Sequence, residues 1–204
     1  MRYRAFRVAT IAFALIAAIS MSVAAQEPGA GGGRGGGQGR GGGGGRGGPG
    51  LTLNSTAWPD GGEIPQKHAG GAMGISPALS WTNVPMGTVE FVLIMNDPEP
   101  VAPRGSATGD ILHWMVIKIP ATTTSLAEGA GGKGGELPAG ARSIRTYAGP
   151  GAPPAGPPHH YTLTLYALNV PLELAENADR AAVMTAMEGK VVGRGIFTGR
   201  YKQP

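Results

Sequence analysis

Asp97, His113, His159 and Tyr161 are the residues of this chain whose types and positions could do chemistry together. Asp97 directly follows an apolar run over residues 89–96, Val-Glu-Phe-Val-Leu-Ile-Met-Asn. His113 opens the next apolar run, after residues 98–112, which include three prolines. If the two runs pair as a hairpin, Asp97 and His113 stand at one end of a sheet and the connecting loop forms a rim above them. A third run, Tyr-Thr-Leu-Thr-Leu-Tyr-Ala-Leu over 161–168, is preceded by His159. At i and i+2, His159 and Tyr161 point to one face of a strand. Before them lies Tyr-Ala-Gly-Pro-Gly-Ala-Pro-Pro-Ala-Gly-Pro-Pro over 147–158, a stiff loop. Its glycines admit close backbone approach and its prolines hold the wall.

Two imidazoles, a carboxylate and a phenol, with little fixed positive charge nearby, suit a small anion. Imidazole N–H groups donate to anionic oxygens, and Gly-rich backbone supplies further donors. A phosphate or carboxylate head group fits this set. Asp97 would orient an imidazole or meet a cationic head such as an ammonium. Each residue also has a plainer reading. A strand-start His can be a surface or structural residue, Asp97 before Pro98 can initiate a turn, and Tyr161 can be a core aromatic. His160 has parity opposite to His159 and reads as outward or structural. His68 lies in a loop with no visible partner. His/His/Asp is also a usable metal ligand set, but no H-x-H or H-x-x-x-H spacing accompanies it, and no metal or other cofactor is assigned. A Ser/His/Asp hydrolase would need a G-x-S-x-G turn. None is present, and Ser106 and Ser143 have no strained-turn context.

Short strands must position these groups. Extended segments are expected at 51–55, 78–82, 89–96, 113–119, 161–168 and 196–201, separated by Pro/Gly-rich turns. One good helix is expected over 179–187, capped by Asn177 or Asp179, with Gly189 just past its end. The pattern is that of a mainly β antiparallel sandwich with a helix or two attached.

The sequence outside this part is of a different kind. Arg2, Arg4 and Arg7 precede an apolar run over residues 8–19, too short for a comfortable membrane span. Small residues follow at Val23 and Ala25, so residues 1–25 read as a secretory signal cut before Gln26 and the mature protein as periplasmic or secreted. Residues 29–50 hold 16 of the chain's 37 glycines together with Arg34, Arg40 and Arg46. Such a segment buries nothing, and 26–50 reads as a disordered Gly/Arg-rich linker. As a coil, its 22-residue Gly tract would reach roughly 25 Å. The tract resembles an RNA-binding Arg/Gly segment, but an exported protein meets little RNA, so no nucleic acid is expected. The plainer reading is a solvated tether with weak affinity for anionic surfaces. Six of 17 cations and one of 13 acids precede residue 51, leaving a domain, 51–204, close to −1 despite a sequence pI near 9.6. The absence of Cys excludes disulfides, thiolate metal sites and Cys nucleophiles.

Several motifs occur together in order. Asp97-Pro98-Glu99-Pro100, His113-Trp114, Ile119-Pro120 and Tyr147-x-Gly-Pro-x-x-Pro-Pro-x-Gly-x-x-His159-x-Tyr161 resemble the phosphatidylethanolamine-binding protein family, and most of all its bacterial Raf-kinase-inhibitor-like branch. Ser76-Pro77-Ala78-Leu79-Ser80-Trp81, Asp60-Gly61-Gly62-x-Ile64-Pro65 and Gly199-x-Tyr201 are similar to that branch too. The resemblance covers residues 51–202. It implies a large antiparallel sheet packed on a smaller one, with a few peripheral helices. It places an anion pocket at Asp97, His113, His159 and Tyr161, walled by Gly149 and Pro153. It departs from the family's D-P-D-x-P at Glu99 and Val101, and by one extra residue after Gly149. With three residues after Tyr201, no C-terminal helix is expected over the pocket, which should be open.

The expected function is a non-enzymatic, exported binding protein for a small anion or a phosphorylated or phospholipid head group. The alternatives are an inhibitor or interaction protein meeting a protease or kinase through its rim loops, and a hydrolase using His113 or His159 as base. The lack of a visible nucleophile disfavours the last. A protein partner and a homodimer both stay open.

Deleting residues 29–50 should leave the thermal stability of the domain nearly unchanged. A Tm loss above about 4 °C, on the order of 1–2 kcal/mol for a domain of this size, would show that the tract docks on the fold.

Overall fold

The computed structural model describes residues 50–71, 74–100, 109–132 and 135–204. The signal and linker readings for residues 1–49 lie outside them, as does most of the rim loop, 101–108. The described chain forms nine strands and one α-helix. These are β1 (Thr52–Ser55), β2 (Gly62–Glu63), β3 (Leu79–Thr82), β4 (Glu90–Asp97), β5 (Ile111–Pro120), β6 (Ser125–Leu126), β7 (Arg142–Arg145), β8 (His159–Leu168), α1 (Arg180–Met187) and β9 (Val191–Tyr201).

Two sheets result, as the mainly β sandwich reading requires. The larger has the order β2-β9-β8-β4-β5-β7 and the smaller β1-β3-β6. Two details differ from the expectation. The two-residue β2 runs parallel to β9, so the large sheet is not wholly antiparallel. And the expected few helices reduce, among the described residues, to α1 and a 3-10 turn at Gln66–His68.

The unbroken apolar run at 91–95 has a structural cause. β4 lies between β5 and β8, and residues 91–95 are all buried because the sheet is covered on both faces. Phe91, Leu93 and Met95 face the small sheet, packing in one core with Trp81, Trp114, Leu163 and Leu165. Val92 and Ile94 face the other way, with Met115, Ile117, Leu172, Val183 and Met187. The helix contributes Val183 and Met187, four apart and therefore on one stripe. Asp179 caps it by accepting the Ala182 N–H at 2.9 Å, and Gly189, at φ 72°, lets the chain turn away.

The wall loop is fixed by close backbone contact. Gly149 forms an antiparallel bridge with Gly71. A Cβ at Gly149 would stand 2.4 Å from the His68 carbonyl oxygen. The Tyr147 hydroxyl donates to that same carbonyl at 2.7 Å. Gly149→Ala should therefore destabilise the protein by about 1–3 kcal/mol, the usual cost of overpacking. Gly151→Ala, with open space around its Cβ, should stay within about 0.5 kcal/mol of wild type. Urea midpoints measure both, and equal midpoints would contradict the close approach.

Candidate functional site

Strand pairing brings the four residues singled out in the sequence to one end of the large sheet. β4 and β5 form the hairpin, with Asp97 opposite Ile111. β8 runs antiparallel to β4 and pairs Asn96 with Thr162, so His159 and Tyr161 begin where β4 ends. Asp97 and Tyr161 are fully buried, His113 nearly so, and His159 is partly exposed.

Each side chain is held by a specific partner. His159 Nδ1 donates to Asp97 Oδ2 at 2.8 Å, while Asp97 Oδ1 accepts the Glu99 N–H at 3.1 Å. His113 Nδ1 lies 2.7 Å from the Ala148 carbonyl oxygen. A carbonyl only accepts, so Nδ1 carries the proton, and the Nε2 of a neutral His113 is a lone pair. That Nε2 is buried with no hydrogen-bond partner among the described residues. The His113 ring meets Tyr161 edge-on, centroids 5.1 Å apart. The Tyr161 hydroxyl accepts the N–H groups of Gly151 at 3.3 Å and Ala152 at 3.2 Å. The rim is tied at both ends. Asn96 Nδ2 donates to Asp110 at 2.6 Å, and Arg180 makes two contacts with the same carboxylate at 2.5 and 2.9 Å.

Burial shapes the electrostatics. Desolvation pushes the His113 imidazole below its ordinary value, with the Ala148 hydrogen bond opposing. Desolvation pushes the Asp97 carboxyl up, with the His159 hydrogen bond pulling the other way. Burial also raises the Tyr161 hydroxyl, and nearby Asp97 adds to the shift. Burial acts upward on Glu99 too, but its hydrogen bonds, first of all from His160, hold it below its ordinary value.

Several placements were not visible in the sequence. His160 points outward, as its parity indicates, but it is paired: Nδ1 lies 2.6 Å from Glu99 Oε1 and its backbone N–H donates to Oε2 at 3.1 Å. Glu99 thus fastens the start of the rim loop to the start of β8. Gly149 is buried in the wall, whereas Pro153 is exposed and Ala152 is the residue that meets Tyr161. His68, without a visible partner in the sequence, is fully buried, its Nδ1 2.6 Å from the Ile75 carbonyl oxygen. It supports the underside of the wall. The cue was available in the glycines and prolines on both sides of 68, which mark a turn without showing what it covers.

Asp97, Glu99 and His159 each offer an atom within 4.8 Å of the others, the one such group of possible metal ligands among the described residues. Their atoms are already engaged in the Asp97–His159 and Glu99–His160 pairs. A separate cleft of about 630 Å³ lies beside the wall loop, lined by Gln66, Pro158, Arg200, Tyr201 and Lys202 among others. Asp97 and His113 are not part of it.

The chain as a whole matches known proteins. The chain belongs to the phosphatidylethanolamine-binding protein family, whose model matches residues 54–202. It is 35% identical over 159 residues to a UPF0098 protein of Methanothermobacter thermautotrophicus, covering 75% of this chain and 99% of that one. It is 37% identical over 144 residues to the UPF0098 protein YbhB of Escherichia coli, covering 65% and 88%. Among solved structures it is similar to Escherichia coli YbcL, described as a member of the mammalian PEBP family. That match has a TM-score of 0.66 at 30% identity and covers 76% of this chain and all of the other.

The depressed His113 has a measurable consequence. The unfolded imidazole takes up a proton below about pH 6.5, while the folded one resists until lower pH. The stability this group supplies is present above 6.5 and is lost as pH falls toward the folded value. Urea midpoints should therefore drop more steeply from pH 7.5 to 5.5 in wild type than in His113→Gln. Parallel curves would show that the ring is not desolvated.

Proposed function

We propose that this protein is an exported, non-enzymatic binding protein for a small anion, a phosphorylated head group above all. The carrying observation is the buried His113 Nε2 without a partner among the described residues, in a ring aligned by the Ala148 carbonyl. A buried polar atom left unsatisfied is costly, and a ligand that completes it gains that energy on binding. His159, oriented by Asp97, brings a second ring nitrogen to the same strand end. The Gly151 and Ala152 amides fix Tyr161 from behind. Export rests on the N-terminal signal pattern.

The tautomer sets the terms of recognition. The neutral His113 ring presents a lone pair, so an anion needs one more proton in the pair. A phosphate monoester supplies it from its own hydroxyl, whose pKa lies near 6. A phosphodiester has none and requires the imidazolium. The ammonium of a phosphoethanolamine head, as in the lipid that gives the family its name, would meet the carboxylate of Asp97.

Thermal shift with phosphoethanolamine tests this reading. At one hundred times its Kd a ligand that binds only the folded state stabilises it by about 2.7 kcal/mol, here a Tm rise of roughly 5–10 °C. His113→Ala and His159→Ala should each remove most of that rise, with their ligand-free Tm values as reference. With glycerophosphoethanolamine, a diester, affinity should weaken as pH rises from 5 to 7.5, because the required imidazolium is lost. Equal Tm rises in wild type and both variants would overturn the assignment.

A further inference from the structure

The backbone ladder between β4 and β8 stops short of the site. Its last pair is Asn96 with Thr162. Beyond it the two strand ends are joined by side chains, and the joints close a ring of four residues. Asp97 Oδ2 accepts from His159 Nδ1 at 2.8 Å, and Oδ1 accepts the Glu99 N–H at 3.1 Å. Glu99 Oε1 lies 2.6 Å from His160 Nδ1, and Oε2 accepts the His160 N–H at 3.1 Å. Each oxygen of the two carboxylates therefore has a partner. His159 and His160 point to opposite faces of β8, so one clasp lies on each side of the sheet. The inner clasp, Asp97 with His159, is mostly buried, while the outer, Glu99 with His160, is partly exposed.

The inner clasp alone leaves Asp97 free to turn. A carboxylate rotates about its side-chain bonds, and His159 keeps its acceptor only while Oδ2 faces it. Oδ1 is restrained by the N–H two residues on, an Asx turn. That turn lasts only while residue 99 stays over the end of β4. The Glu99 carboxylate keeps it there by gripping both the ring and the backbone of His160, which β8 holds in register with Arg200 of β9.

We propose that Glu99 is a positioning residue of the head-group site: through His160 it keeps Asp97 turned onto His159, and so fixes the ring nitrogen that His159 presents to a ligand. Its own oxygens are engaged outside the site, so it acts without touching the ligand. The effect on binding rests on the head-group reading above, whereas the effect on the His159 ring does not. With Nδ1–H given to Asp97, the free nitrogen of a neutral His159 is Nε2. A neutral imidazole released into water takes up mostly the opposite form, Nε2–H, so the two states are told apart by the ring itself.

Nitrogen-15 NMR of the ligand-free protein in alkaline buffer reads the tautomer of each neutral imidazole. Wild-type His159 should be in the Nδ1–H form. Glu99→Ala should move it toward Nε2–H, part of the way to the released ring of Asp97→Ala. Glu99→Gln, whose amide accepts the His160 N–H and donates to His160 Nδ1, should restore the wild-type signal. Lys67→Ala, which breaks an exposed ion pair elsewhere, should leave it unchanged. His113, aligned by the Ala148 carbonyl, is the internal reference and should not move in any of these variants except Asp97→Ala. Exposed pairs add little stability, so the Tm of Glu99→Ala should stay within about 4 °C of wild type. The Kd for phosphoethanolamine should rise about two- to tenfold in Glu99→Ala, roughly the worth of one hydrogen bond, and return in Glu99→Gln. An unchanged His159 tautomer in Glu99→Ala, no restoration by Glu99→Gln, or the same change in Lys67→Ala would overturn the proposal. A larger Tm loss with the His113 signal moved as well would also overturn it, reassigning Glu99 to holding the fold. If wild type binds no phosphoethanolamine and the tautomer still shifts as expected, the head-group reading falls and the positioning role stands.

Discussion

The double pairing of β4 is the constraint on which the rest depends. This strand is hydrogen-bonded to β5 on one edge and β8 on the other, and its central residues are sealed on both faces. A slip of one residue would exchange the two cores, sending Phe91 and Leu93 to the helix side and Val92 and Ile94 to the small sheet. The register is therefore rigidly determined. Asp97 ends this strand, so its backbone position follows from the packed register of β4, while its carboxylate is held by His159 and the Glu99 N–H. His113, His159 and Tyr161 inherit their places from the same two ladders.

The wall is built differently. It is a stretch of coil, and its order comes from backbone contacts that side-chain size would forbid. Gly149 sits against the His68 carbonyl, and Tyr147 bonds to that carbonyl from the same strand of coil. The Ala148 carbonyl between them aligns His113. Backbone atoms thus decide the tautomer of the imidazole, and with it whether the pocket offers a proton or a lone pair.

Alternation and apolar runs made β4, β5 and β8 legible, because strands paired on both sides leave a strong two-residue period or an unbroken apolar stretch. The cap at Asp179 was legible for the same kind of local reason. β2, β6 and β7 were not: each is four residues or fewer, and pairing with a distant partner, not local pattern, makes it a strand. The site residues were legible as strand-end groups at matched ends. Their partners were less so. Nothing in the neighbourhood of Glu99 shows that it reaches His160, 61 residues on. Pro153 resembled a wall residue by motif; it is exposed, and the Ala152 N–H is what meets the Tyr161 hydroxyl. His68 showed no partner in the sequence because its burial depends on Trp58, Ile75 and the wall, brought in by the fold.

The length of β8 has an electrostatic consequence. Its ten residues at about 3.3 Å each separate His159 from Leu168 by roughly 30 Å. In physiological salt the Debye length is about 8 Å. Lys118 near the end of β5, Lys190 just before β9 and Arg194 near its start lie at the Leu168 end of the sheet, and their field is screened before it reaches the pocket. An incoming anion would feel no long-range pull from them. Any steering at the pocket must come from charges at its own end, where Asp97 and Glu99 oppose Arg145, Arg200 and Lys202.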